Sequence, residues 1–145
     1  MAGRAERLAR SAFRHFRAVP TRWMDNDAYG HVNNVTYYSY FDTAVNAQLV
    51  EAGLLLIGDS PAIGLVVETS CTYFESIAFP ELIEVGLAVE ALGRSSVTYR
   101  LAIFRQGGDL AAAQGRFTHV YVERKTGRSV PIPDGNRRLF ETMSA

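Results

Sequence analysis

Between Asn34 and Ala52 a mostly apolar stripe recurs at spacings of three and four: Tyr37, Tyr38, Phe41, Ala44, Val45, Gln48, Leu49 and Ala52. That period places them on one face of an α-helix. Asn33 is placed to cap its start, and Gly53 suits the left-handed position that ends it. A helix over 34–52 would be about 28 Å long at 1.5 Å per residue. No proline or glycine interrupts it.

Elsewhere the period is two. Residues 11–22 mix aromatic and β-branched residues with arginines and read as a first strand. Ile63 to Phe74 is a second, rich in β-branched residues. Ile83, Val85, Leu87 and Val89 alternate with Glu84, Gly86, Ala88 and Glu90, the mark of a half-buried strand. After a turn at Gly93-Arg94-Ser95, Val97, Tyr99, Leu101 and Ile103 alternate in the same way. Gln106-Gly107-Gly108-Asp109 makes a hairpin turn. Leu110 to Glu123 is the last long strand, with small residues where another chain segment can come close. Asp134 to Met143 predicts a short C-terminal helix.

One strand, one long helix and four further strands make an α+β chain, with the helix stripe laid across one face of a single antiparallel sheet. The second face and the sheet edges must then be managed, and pairing edges between copies is one solution. A homodimer or homotetramer is expected.

The chain has 145 residues and no linker or repeat, so residues 1–145 are read as one domain. Lys+Arg and Asp+Glu both number 15, a balance that gives no general pull toward nucleic acid. Arg4, Arg7, Arg10, Arg14 and Arg17 recur near the start, and residues 1–11 are expected to form a solvated basic tail or short helix. No apolar run approaches the roughly 18–20 residues of a membrane span. The single cysteine, Cys71, allows no intrachain disulfide and fits a reducing, cytoplasmic setting.

Several kinds of chemistry lack their motifs. Gly58-Asp59-Ser60-Pro61-Ala62 misses the last glycine of a nucleophile elbow. Neither a phosphate loop nor G-x-G-x-x-G occurs, and the three histidines have no metal-ligand spacing. What stands out is the loop Asp25-Asn26-Asp27-Ala28-Tyr29-Gly30-His31, set directly against a helix start. The first N–H groups of a helix lack internal partners and favour an anionic oxygen. A carboxylate beside them could attack a carbonyl, or activate water to do so, while those N–H groups hold the carbonyl oxygen. Aspartates before a helix also serve as caps and turn formers, so residue types alone leave both readings open.

The stretch Thr21 to Asn34, continued by Tyr37, Tyr40 and Phe41, resembles the signature of hotdog-fold acyl-CoA thioesterases of the 4-hydroxybenzoyl-CoA thioesterase class, roughly D-x-D-x-x-G-H-V-N-N-x-x-Y-x-x-Y-F. The resemblance implies a sheet wrapped around the long helix, active sites at a subunit interface, an acyl-CoA substrate and no cofactor. It implies that Asp27 is nucleophile or general base and that the backbone amide near Asn34 polarises the thioester carbonyl. His31 could orient water or substrate, or simply bond within its loop. Tyr37 and Phe41 could line an acyl pocket or serve the core. Arg94, Arg124, Lys125 and Arg128 could hold the nucleotide phosphates of CoA, or form solvated turns. Asp25 is read first as an ion-pair partner of Arg22. Asp42 and Val45 stand where the family often has glutamate and arginine, so no one relative's substrate carries over. The competing readings are a thioesterase on a carrier-protein thioester and a non-catalytic acyl-CoA-binding hotdog protein.

Overall fold

The computed structural model describes residues 6–144. Five strands, β1 (His15–Pro20), β2 (Ala62–Tyr73), β3 (Leu82–Leu92), β4 (Ser96–Arg105) and β5 (Ala113–Glu123), form one antiparallel sheet in the order β1-β3-β4-β5-β2. Helix α1 (Thr36–Glu51) follows β1, and α2 (Asp134–Thr142) ends the fold. This is the hotdog arrangement of a long helix packed on an antiparallel sheet.

The alternation read from the sequence sets the main core. Ile83, Val85, Leu87 and Val89 of β3, and Val97, Tyr99, Leu101 and Ile103 of β4, all face α1 and are buried. From α1 they meet Tyr37, Tyr40, Phe41, Ala44, Val45 and Leu49. Tyr40, outside the predicted stripe, is buried because its hydroxyl has a partner at 2.7 Å in Asp25. Gly53, at φ 73°, ends the helix as predicted.

The opposite sheet face is covered in part by the N-terminal segment. Phe13 packs with Ala88, Ala102, Phe104 and Ala111, with Leu8 and Phe16 alongside. Gly86 permits this, since a Cβ there would come within 2.8 Å of the Phe13 ring. Residues 7–10, expected within a solvated basic tail or short helix, are therefore half-buried against the sheet, and a short 3-10 helix begins at Arg10. Arg7 donates to the Ala111 carbonyl at 2.7 Å and pairs with Glu75. Arg10 pairs with Glu84 at 3.0 Å and stacks over Phe16 and Phe104. Arg4 lies outside the described residues.

Two strand limits differ from the periodic reading. β1 begins at His15, because Arg10–Ala12 form a 3-10 turn anchored by the Arg10 N–H on the Asp109 carbonyl. β5 begins at Ala113, because the Ala111 N–H donates to the Leu8 carbonyl instead of extending the ladder with β2. Within β5, Gly115 answers the expectation of a close approach: a Cβ there would sit 1.8 Å from the Ser70 carbonyl oxygen of β2.

Candidate active site

The loop between β1 and α1 is fastened at three points. Asn26 accepts the Phe79 N–H through its side chain at 3.0 Å, and the Val32 N–H donates to the Ile77 carbonyl at 2.8 Å. The third point is Asp25, buried with about 1% exposure. Its carboxylate accepts the Arg22 N–H at 2.8 Å, the Tyr40 hydroxyl at 2.7 Å and the Arg22 guanidinium at about 3.0 Å. Burial opposes the charge, but the bonds from Tyr40 and Arg22 outweigh it and hold the carboxyl below its ordinary value. The Tyr40 phenol is pushed up in turn, first by burial and then by Asp25. Every oxygen lone pair that Asp25 can commit locally is spent on the scaffold.

Asp27, two residues on, is placed differently. It is half-buried, and its main chain closes a tight turn: its N–H donates to the His31 carbonyl at 2.9 Å and its carbonyl accepts the Gly30 N–H at 3.1 Å. Gly30 fits this turn because its φ is 81°, where a side chain is disfavoured. One carboxylate oxygen, Oδ1, accepts the Tyr29 N–H at 2.9 Å. The other has no hydrogen-bond partner among the described residues.

The chain then enters α1 through a short turn. Asn33 sits at its start but does not occupy the capping position next to the helix, which falls to Val35. Instead its side-chain oxygen accepts the Val35 N–H at 3.1 Å and its carbonyl accepts the Thr36 N–H at 2.9 Å. Its own N–H donates to the Asp25 carbonyl at 2.9 Å. Of the N–H groups from Val32 to Thr36, that of Asn34 alone has no partner among the described residues.

Asp27 and Asn34 line one cleft of about 330 Å³, together with Val32, Tyr37, Tyr73, Phe74, Glu75 and Ser76. The Tyr37 and Tyr73 rings meet edge to face at 4.9 Å. Asp27, with one carboxylate oxygen not committed to the fold, and Asn34, with its N–H likewise uncommitted, thus line one pocket with aromatic walls. Such a pair can attack or hydrate a carbonyl carbon and hold its oxygen.

Other residues singled out from the sequence lie elsewhere. His31 is exposed, its imidazole has no hydrogen-bond partner among the described residues, and it does not line the cleft. Phe41 is fully buried among core side chains and does not line the cleft either. Helix spacing explains this, since Phe41 is four residues past Tyr37 and points deeper beneath the sheet. Asp42 is exposed and accepts the Asn46 side-chain amide at 3.0 Å. Arg94, Arg124, Lys125 and Arg128 are all exposed, in the turns beyond β3 and β5. Arg124 is tied to the Ser60 carbonyl at 2.7 Å. β5 pairs Glu123 with Ala62 at the start of β2, whereas the cleft lies at Tyr73, the other end of that strand. At about 3.3 Å per residue those ends are roughly 36 Å apart. Within one chain, therefore, this basic turn does not border the cleft. Of the cleft residues Tyr73 to Ser76, sequence pattern marks Tyr73 and Phe74 only as the end of a strand and gives Glu75 and Ser76 no element, for their role depends on contacts far away in the chain.

A family model described as the thioesterase-like superfamily matches residues 19–140. The crystal structure of the PA5185 protein from Pseudomonas aeruginosa strain PAO1 is similar, with a TM-score of 0.94 and 52% identity over 97% of this chain and 98% of that one. A solved gentisyl-coenzyme A thioesterase, BH1999, shares the fold at a TM-score of 0.77 and 23% identity, over 87% of this chain and 99% of that one. A DHNA-CoA thioesterase from Staphylococcus aureus does so at 0.72 and 22%, over 80% of this chain and 78% of that one.

Proposed function

The chain belongs to the thioesterase-like superfamily, and from that premise we propose that it hydrolyses an acyl-CoA thioester to the free acid and CoA at the Asp27 cleft. The observation that carries the proposal is that Asp27, with one uncommitted carboxylate oxygen, and Asn34, with an uncommitted N–H, line one pocket. The thioester carbonyl oxygen accepts the Asn34 N–H. Asp27 either attacks the carbonyl carbon, giving an acyl-enzyme anhydride that water then opens, or takes a proton from the water that attacks. In both routes the carbon–sulfur bond breaks. In the first, CoA leaves as the thiolate and is protonated by solvent, while the water that opens the anhydride restores the Asp27 carboxylate. In the second, Asp27 passes the proton it took from water to the leaving sulfur. Developing charge on the carbonyl oxygen strengthens its bond to the amide in the transition state, which is where an enzyme gains rate. CoA as the carrier is supported by the gentisyl-coenzyme A and DHNA-CoA thioesterases that share the fold. The motif from Asp25 to Phe41 supports the finer assignment to the 4-hydroxybenzoyl-CoA thioesterase class.

The same reading includes a homodimer. β2 is an edge strand of 12 residues with Leu65, Val66 and Val67 each about half exposed. A long apolar edge of this kind is a liability unless paired. Antiparallel pairing of two β2 strands about a two-fold axis near Val66 would cover it. It would also carry the basic turn Arg124, Lys125 and Arg128 of the second copy toward this cleft, within reach of the phosphates of CoA. Light scattering should then give at least twice the 16.0 kDa chain mass.

The experiment is thiol release from short, medium, long and aromatic acyl-CoAs, with Asp27→Asn beside wild type. We expect turnover on at least one member and a loss of roughly a hundredfold or more in kcat for the variant. A folded Asp27→Asn protein with wild-type kcat would defeat the mechanism. Acyl-CoA binding without turnover of any member would mark a carrier-linked substrate or a binding protein.

A further inference from the structure

A backbone amide serves as an oxyanion donor only where its peptide need not reorient as charge develops. Asn34 lies between two anchored peptide groups. The peptide that carries the Asn34 N–H has its oxygen, the Asn33 carbonyl, bonded to the Thr36 N–H at 2.9 Å. The following peptide is held at both ends: its hydrogen, the Val35 N–H, by the Asn33 side chain at 3.1 Å, and its oxygen, the Asn34 carbonyl, by the Tyr73 hydroxyl at 2.7 Å. The Asn33 bonds come from within the turn. The Tyr73 bond comes from the sheet, 39 residues away, and ties this turn to the end of β2.

We propose that Tyr73 is a positioning residue for the Asn34 amide: its hydroxyl, held on the edge strand, locks the turn so that the free N–H keeps its aim into the cleft. The inference rests on the proposed hydrolysis for its catalytic meaning and on the geometry alone for the clamp. Tyr73 is suited to the task. Its backbone pairs with Ala113 of β5, and its ring rests against Tyr37, which is buried on α1. Burial first, then the neighbouring Cys71 and Tyr38, pushes its phenol well above the ordinary value. It therefore stays a donor throughout the working pH range. Release of the Asn34–Val35 peptide would loosen Asn34 on one side and let the preceding peptide, which carries the N–H, tilt, weakening the pocket's charge stabilisation without removing any group that grips the substrate.

Tyr73→Phe keeps the ring against Tyr37 and deletes only the hydroxyl. We expect kcat to fall roughly tenfold, short of the 10²–10³ that loss of an oxyanion donor itself costs, with KM within about twofold of wild type. Hydrogen exchange at the Val35 amide, whose protection depends on the same turn, should quicken by roughly threefold to tenfold, the worth of one modest hydrogen bond. Asn33→Ala acts on the other end of the same peptide, so its effect on kcat should combine with that of Tyr73→Phe to less than their product. A wild-type kcat in Tyr73→Phe overturns the proposal, and so does a raised KM alone, which would make Tyr73 a wall of the acyl pocket. Exchange needs no turnover. If wild type hydrolyses no thioester, the proposed function fails, while unchanged Val35 exchange in Tyr73→Phe defeats the clamp by itself.

Discussion

The cleft at the Tyr73 end of β2 and the core beneath the middle of that strand handle unpartnered polar groups in opposite ways. At the Tyr73 end, Asp25 is fully bonded and buried, and the groups left over, an oxygen of Asp27 and the N–H of Asn34, border an open cleft. Beneath the middle of the strand, His119, level with Val66, and Tyr99, level with Thr69, lie inside the core, and His119 Nδ1 and the Tyr99 hydroxyl have no hydrogen-bond partner among the described residues. Gly64 of β2 lies so close that a Cβ there would come within 2.8 Å of His119 Nδ1. An unpartnered group beside a cleft keeps its water until a substrate replaces it, and costs the fold little. The same group sealed in a core carries its desolvation cost in every folded molecule. At the cleft end the open valences are left available to a ligand, whereas around His119 they weigh on stability.

Three measurements would break or sharpen that contrast. The largest effect is expected from Asp25→Ala, which removes the acceptor of the Arg22 and Tyr40 bonds and leaves a buried phenol unpaired. A hydrogen bond to a charged group is worth about 1.5–3 kcal/mol, and a buried donor left unsatisfied costs about 1–3 kcal/mol more, to be read by urea unfolding. A loss below about 1 kcal/mol would show that the loop is not fastened there. Next comes acid sensitivity from His119. Burial lowers its folded pKa from 6.5 to about 4. As pH falls through 6.5 the unfolded chain takes up a proton that the folded chain refuses. The stability it contributes is therefore complete above 6.5, declines below it and is lost by about pH 4, roughly 3 kcal/mol in all. His119→Phe, which keeps a flat ring against Tyr99 and Phe117, should flatten the pH dependence of unfolding between pH 6.5 and 5. An unaltered slope would place the acid sensitivity elsewhere. The smallest effect on stability should come from Asp27→Asn, within about 0.5 kcal/mol, even as turnover collapses. If that change destabilised the fold as much as Asp25→Ala does, the two carboxylates would not divide scaffold from chemistry.

Much of this was legible in the residues. The three-and-four spacing marked the helix to within two residues at its start and one at its end, and Gly53 marked where it stops. The two-residue alternation of β3 and β4 identified the face that meets α1 residue by residue. Gly86, Ala88, Ala102 and Phe104 on the other face are buried too, so β3 is not the half-buried strand its alternation predicts. The motif from Asp25 to Asn34 pointed to the loop that borders the cleft, because its turn residues and the helix start are neighbours in the chain.

Local pattern does not carry contacts between distant segments. Nothing near Tyr73 announces that its hydroxyl meets the Asn34 carbonyl, and nothing near Tyr40 says that Asp25 is its partner. Phe41 and Tyr37 look equally suited to a pocket, yet only Tyr37 reaches it. The basic turn after β5 reads like a phosphate site for a ligand in the cleft, but the antiparallel pairing of β5 with β2 sends it to the far end of the sheet. Periodicity, turn chemistry and motif are properties of neighbouring residues, so the sequence by itself determined the elements and the identity of the loop. Which side chains close on one another, and which valences stay open, depended on how β2 returns along β5 and across the start of α1, and only the tertiary structure decided that.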